Sequence, residues 1–183
     1  MTRLFVGIEM PDWVVAELAR LAGGIPGARW VDPDNLHLTL RFIGEVDGFQ
    51  YDQIDAALSG LVGESFTMTL QGVGHFPPRG EAKALWVGVE GNESLNRLQR
   101  RVERTLVRLN HRPDSRKWHP HVTLARFRGT GGETSRGRVQ SFLQAHSMIS
   151  FEPFLVTSFQ LYESHLHPSG ARYEVLNTYA LSG

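Results

Sequence analysis

Two copies of one short pattern carry the chemistry that can be read from this sequence: His37-Leu38-Thr39-Leu40 and His121-Val122-Thr123-Leu124. Each is His-x-Thr-aliphatic inside a run of strand-forming residues. A strand repeats every two residues, so His37 and Thr39 share one face while Leu38 and Leu40 take the other, and the second copy behaves likewise. Each copy therefore presents an imidazole beside a hydroxyl. If the two polar faces meet, a histidine stands on either side of whatever binds between them. In-line displacement at phosphorus needs this arrangement, because one group takes a proton from the attacking oxygen while another gives one to the leaving oxygen. Histidine, with an ordinary pKa of about 6.5, can act either way near neutral pH. The hydroxyls of Thr39 and Thr123 can donate to the non-bridging phosphate oxygens. The arrangement calls for no metal and no cofactor.

The two strands need elements to hold them. Arg3 to Glu9 reads as a strand, and Pro11 opens a helical pattern through Val14, Val15, Leu18 and Leu21 that Gly23 and Gly24 end. The first motif lies in an extended run from Leu36 to Ile43, and helical spacing returns from Tyr51 to Leu61. Alternation from Phe66 to Val73 predicts a strand, followed by a loop from His75 to Gly80 and an apolar strand from Ala84 to Val89. Asn92 caps an amphipathic helix through Leu95, Leu98, Val102, Leu106 and Leu109, whose arginine-rich side reads as a solvated face. The second motif opens the strand His121 to Phe127. A helix from Arg136 to His146 and strands at Phe154 to Glu163 and Arg172 to Leu181 complete the chain, the last two separated by a turn with Pro168-Ser169-Gly170. Helix and strand content is similar in the two halves.

With 183 residues and 41% hydrophobic residues, the chain is long enough for one domain with a real core. Nineteen Lys and Arg balance nineteen Asp and Glu, so nucleic acid must be met locally rather than through a global field. There is no cysteine, which excludes disulfides, thiolate metal sites and thiol nucleophiles. The N-terminal apolar run is broken too early by Glu9 and Asp12 for a signal peptide or a membrane span. A cytoplasmic protein with no membrane association and no obligate protein partner is expected.

Several other residues are weighed against plainer roles. Arg41 is in phase with His37 and Thr39, which predicts a phosphate or nucleotide contact or an arginine at the rim. The His-x-His pairs 119/121 and 165/167 lack partner carboxylates at matching strand spacing and read as structural, the second pair in a turn. Among Trp30, Phe42, Phe76, Trp118 and Tyr162, the expected loop position of Phe76 makes it the candidate for stacking on a base. Gly129 to Gly132 lacks the lysine and serine of a phosphate loop and reads as a plain connection.

In order along the chain, Arg3-Leu-Phe-Val-Gly-Ile, Arg29-Trp-Val, Asn35-Leu-His-Leu-Thr-Leu-Arg-Phe-Ile-Gly-Glu, Phe76-Pro-Pro-Arg, Leu85-Trp-Val-Gly-Val and His119-Pro-His-Val-Thr-Leu-Ala-Arg resemble the LigT-like RNA 2′,3′-cyclic phosphodiesterases of the two-histidine phosphoesterase superfamily. The likeness covers nearly the whole chain. It implies an α+β fold, residues 1–183 forming one domain of two pseudo-symmetric lobes. Antiparallel sheets would face a central V-shaped cleft, with helices on the outside. It further implies His37 as proton donor to the leaving 3′ oxygen and His121 as the base that activates water, with Thr39 and Thr123 holding the phosphate. It also keeps Arg126 as a substrate-binding residue, although strand alternation puts that residue out of phase with His121. The expected substrates are RNA 3′ ends or small cyclic nucleotides, and the product a 2′-phosphomonoester. Ligation through a 2′-5′ linkage, turnover of small cyclic or 2′-5′ linked nucleotides, a non-catalytic RNA-end binder and, more remotely, a metal-dependent hydrolase are the alternatives.

Overall fold

The structure, a computed structural model, describes residues 1–128 and 133–183. The apolar opening segment forms β1 (Thr2–Glu9), with Leu4 to Ile8 nearly all in the interior, and α1 (Asp12–Ala19) buries Val14 and Leu18. β2 (Ala28–Trp30) and a 3-10 turn, Pro33–Asn35, lead into β3 (His37–Val46). α2 (Gly48–Ser59) begins at a reciprocal cap in which the Asp47 carboxylate accepts from Gln50 N and the Gln50 side chain accepts from Asp47 N. β4 (Phe66–Met68), β5 (Leu70–Phe76) and β6 (Ala84–Val89) follow. The Asn92 side chain accepts from Leu95 N at 3.0 Å and starts α3 (Glu93–Arg108), whose Leu95, Leu98, Val102 and Leu106 are buried. The chain ends with β7 (His121–Phe127), α4 (Glu133–Ala145), β8 (Phe154–Val156), β9 (Ser158–His167) and β10 (Gly170–Ala180).

This is an α+β arrangement in which every strand pairing is antiparallel. The strands run β10-β9-β1-β3-β7-β6-β5, with β2 also on β7, and β4 and β8 pair apart from the rest. The two motif strands, β3 and β7, pair with each other at one Cα pair, Leu38 with Val122. Leu38, Leu40, Val122 and Leu124 belong to the aliphatic core that also takes the inner residues of α1 and α3, so helices cover the face opposite the histidines.

The expected strand over 66–73 divides at Thr69 and that over 154–163 at Thr157, because the outer pieces leave the main sheet to pair with each other. His75 and Phe76 end β5 rather than lying in a loop, and His165 and His167 lie in β9 rather than in a turn. The pairing of Gly170 with His167 likewise draws the start of the last strand back from Arg172. The connection at Gly129 to Gly132 lies outside the described residues.

Candidate active site

Around the pairing of Leu38 with Val122, the flanking residues of both strands project to one side of the sheet. At that register His37 sits across from Thr123, and Thr39 across from His121. The two motifs therefore cross at a local twofold. Exposure repeats as well: His37 to Ile43 and His121 to Phe127 show the same succession of buried, half-buried and exposed positions.

That succession contains a bulge in each strand. β1 pairs Val6 with Arg41 and then Gly7 with Thr39, leaving Leu40 without a partner. β6 pairs Leu85 with Ala125 and then Trp86 with Thr123, leaving Leu124 without one. The extra residue puts two successive side chains on the core face and returns the next to the histidine face. The displaced carbonyls are satisfied from outside the pair, Leu40 O by Gln99 Nε2 at 3.5 Å and Leu124 O by Val31 N at 2.8 Å.

The bulges reverse the expectations for two arginines. Arg41 does not face the histidines: it is 8% exposed, donates to the carbonyl oxygens of Phe42 and Arg112, and forms an ion pair with Glu103 of α3. Arg126 is restored to the phase of His121 and is exposed. The corresponding position in the first copy is Phe42, 54% exposed and 5.8 Å from Phe5, ring to ring. Arg41→Met is accordingly expected to reduce unfolding free energy by about 2–3 kcal/mol through the stranded Glu103 carboxylate. Turnover by the folded fraction is expected to remain unchanged. Denaturant melts beside activity of the folded protein check this.

His37 is held at both ring nitrogens. Its Nδ1 donates to Asn35 O at 2.7 Å, and its Nε2 lies 2.8 Å from Thr39 Oγ1. With the proton on Nδ1, Nε2 accepts from the threonine hydroxyl. Asn35 also ties this corner to β10: Nδ2 donates to Ala171 O at 2.7 Å and Oδ1 accepts from Tyr173 N at 3.2 Å. Around the imidazole stand Phe5 at 4.8 Å, Tyr173 at 5.1 Å and Tyr162 at 5.7 Å between ring centroids. Gly7 leaves room for them, since a Cβ there would come within 2.9 Å of Leu38 O and 3.3 Å of the Tyr162 ring. Trp118, a half-buried residue, donates from Nε1 to Thr39 O at 3.2 Å.

His121 repeats half of this design. Its Nδ1 donates to His119 O at 2.6 Å, but among the described residues its Nε2 has no bond to Thr123. Phe76 stands edge-on at 4.9 Å, with Trp86 at 6.2 Å and His119 at 6.1 Å. Phe76 thus walls this side of the site as a half-buried strand residue. Gly74 makes space for the Trp86 indole, which any Cβ at that position would overlap.

Burial lowers His37 to about 4 despite its bond to Asn35, and the charges of Arg126 and His121 push the same way. Burial also lowers His121, opposed by its bond to His119 O and reinforced by the charges of His119 and Arg126. At pH 7 both imidazoles are neutral, and the carbonyls on Nδ1 leave a lone pair on each Nε2. Shared sensitivity to Arg126 ties the three side chains electrostatically.

Other candidates separate from this group. Trp30 packs on Phe142 of α4 at 6.0 Å, and Tyr162 stacks on Phe5 at 4.7 Å. His165 has carboxylates beside it after all: Glu163 lies two residues earlier in β9, and Glu174 is the β10 partner of Glu163, the two standing 3.5 and 3.1 Å from Nε2. Alternation places Glu163 and His165 on the face of β9 opposite Tyr162 and hence away from His37. Among the described residues no helix is long and apolar enough to cross a membrane.

Comparison with known proteins matches this geometry to a wide group. An Archaeoglobus fulgidus protein named RNA 2′,3′-cyclic phosphodiesterase is 32% identical over 180 residues, spanning 97% of this chain and 99% of its own. A crystal structure of a Thermus thermophilus protein superposes with a TM-score of 0.82 at 25% identity, over 99% of this chain and 98% of that one. E. coli LigT in its apo form gives 0.79 at 26% identity, over 100% and 98%. The family model described as the 2′-5′ RNA ligase superfamily matches residues 5–167, and with two His-x-Thr strands crossing at the centre of the matched region the chain belongs to that superfamily.

Proposed function

We propose that the chain, acting as one unit over residues 1–183, hydrolyses an RNA 3′-terminal 2′,3′-cyclic phosphate to a 2′-phosphomonoester, with His37 and His121 as acid and base. The observation that carries the reading is the crossed pair of motifs, which puts two imidazoles and two hydroxyls on one face of joined strands. The family membership, and the name borne by the relative from Archaeoglobus fulgidus, supply the substrate class. E. coli LigT has also been crystallised with 3′-AMP, at 25% identity to this chain.

In this reading the phosphate lies between the two Nε2 atoms. Nδ1 of each ring is occupied by a backbone carbonyl, so proton transfer runs through Nε2. His121 takes a proton from water as it attacks phosphorus. His37 protonates the 3′ oxygen as its bond to phosphorus breaks, leaving phosphate on the 2′ oxygen. Thr39, Thr123 and Arg126 donate to the non-bridging oxygens, whose charge they stabilise in a partly desolvated site. Phe42 stands where the second copy has Arg126, exposed enough for a base to stack on it. No step draws on a metal ion.

The reverse assignment is favoured by one observation. The bond between Nε2 and Thr39 and the strong desolvation both suit a neutral His37, which would make His37 the base and His121 the acid. Regiochemistry of the product alone does not separate the two, because the substrate can lie either way round.

Turnover of a short RNA bearing a 2′,3′-cyclic phosphate in excess chelator, with the product mapped as a 2′- or 3′-phosphate, tests the reaction. Chelator-resistant formation of a 2′-phosphate supports it. Loss of all activity on chelation, or joining to a 5′-hydroxyl acceptor without hydrolysis, transfers the reading to the metal-dependent or ligase alternative.

A pH profile adds a signed expectation. The productive state carries one proton on the pair, and both free imidazoles titrate below the ordinary 6.5. As pH rises through the lowered pKa of His121, below the ordinary 6.5, that state is depleted and kcat/KM falls roughly tenfold per unit. As pH falls through about 4, the second proton depletes it again. A bell with its maximum between these limits is expected, its apparent pKa values belonging to the pair rather than to either ring. For kcat the bell moves upward, because bound phosphate favours imidazolium. A flat kcat/KM from pH 5 to 8 removes these histidines from the limiting step.

A further inference from the structure

The chain is neutral overall, yet one segment is not. Residues 93–117, which comprise α3 and part of the connection to β7, hold seven arginines and one lysine against Glu93, Glu103 and Asp114. Each of those acids is already matched: Glu93 with Arg100, Glu103 with Arg41 and Asp114 with Arg116. Arg97, Arg101, Arg104 and Arg108 fall at i, i+4, i+7 and i+11 on the side of α3 opposite its buried leucines and valine. All four are exposed, and among the described residues none forms an ion pair. Arg101 donates to Val62 O, but like charges at such spacing repel and weaken a helix, so folding of the helix gives no account of Arg97, Arg104 and Arg108. A polyanion laid along them would.

α3 covers the sheet face opposite the histidines, and the basic connection after it leads from the stripe round to the candidate site. Asp114 N donates to Glu103 Oε1 at 3.1 Å, Arg41 donates to Arg112 O, and Trp118 donates to Thr39 O at 3.2 Å. The connection carrying exposed Arg112, Arg116 and Lys117 is therefore fastened at one end to α3 and at the other to the strand of His37 and Thr39. From Arg97 to Arg108 the helix rises about 16 Å, room for on the order of four or five phosphates of a stacked strand.

We infer that this arginine stripe and the basic connection beside it hold the phosphate backbone of the RNA strand whose 3′ end occupies the histidine site. The inference rests on the RNA-end reading above and extends it to a chain rather than a terminal nucleotide. Recognition along the stripe is by charge, so it is independent of base sequence and weakened by salt.

The test compares wild type with Arg104→Gln/Arg108→Gln on two substrates, adenosine 2′,3′-cyclic phosphate and an RNA of roughly 15 nucleotides with the same end. Expected is a fall of about tenfold in kcat/KM for the RNA at low salt. The slope of log kcat/KM against log salt should become shallower by about 1.4, two contacts at 0.7 each. The mononucleotide should be turned over as by wild type. Equal turnover of the RNA by both proteins, or equal loss on both substrates, overturns the inference. If wild-type protein turns over neither, the RNA-end reading fails, and fluorescence anisotropy of the same RNA then decides the surface by itself. Weaker, less salt-sensitive binding by the variant supports it, and identical binding overturns it.

Discussion

Replacing His37 or His121 by alanine is expected to lower kcat/KM for an RNA 2′,3′-cyclic phosphate by about 10²- to 10⁴-fold. Removing both should cost little more than removing one, because acid and base act in a single displacement and their losses do not add. The size of the effect follows from the site. Each ring is already oriented by a backbone carbonyl on Nδ1, so alanine deletes a proton relay that was fixed in tautomer and direction. The two variants can also assign the roles. A substrate whose leaving group needs no proton, such as one with sulfur in place of the 3′ oxygen, restores turnover to the variant lacking the acid. It does nothing for the variant lacking the base. Rescue of His37→Ala supports the assignment proposed above, rescue of His121→Ala supports the reverse, and rescue of both or neither removes the acid–base pair as the mechanism. Melting temperatures close to wild type keep the result separate from unfolding.

Much of this site was legible because strand alternation is a local rule. His37 with Thr39, and His121 with Thr123, could be placed on one face from spacing alone, and the core positions of Leu38, Leu40, Val122 and Leu124 follow from the same rule. The caps at Asn92 and the ends of β1, β6 and β7 were legible for similar reasons. What alternation misses is a bulge. A strand with one extra residue has the same composition as one without, and the register that reveals Leu40 and Leu124 as unpartnered depends on β1 and β6, far along the chain. Hence alternation alone predicts Arg41 on the histidine face or at its rim, whereas it is buried against Glu103. Alternation turns Arg126 away, and the bulge brings it into phase. Non-local pairing also decides where the stretches at Thr69 and Thr157 break, since each is read locally as one continuous strand. The role of Asn35 is not legible locally, because it lies in bonds to Ala171 and Tyr173, more than a hundred residues away.

The bulge turns into a second prediction of large effect. Arg126→Met is expected to reduce kcat/KM by about 10²-fold, the scale of losing one charged donor to a transition-state oxyanion. Arg126→Lys should recover only part of this, since an ammonium lacks the planar fork that meets two phosphate oxygens. Arg126→Met, which removes the charge, should also move the acid limb of the pH profile upward, because the Arg126 charge helps to hold both imidazoles low. Phe42→Ala serves as the counterpart at the matching position of the first copy. Losing a stacking surface is worth about 1–3 kcal/mol, so it should weaken substrates through KM and leave the pH limbs in place. The pattern across three positions is the decisive one: Arg126 changes chemistry and pH dependence, Phe42 changes binding, and Arg41 changes only stability. An Arg41→Met protein that loses turnover while Arg126→Met keeps it would mean that the strand phases run without the bulges, and the site would have to be rebuilt on unbroken alternation.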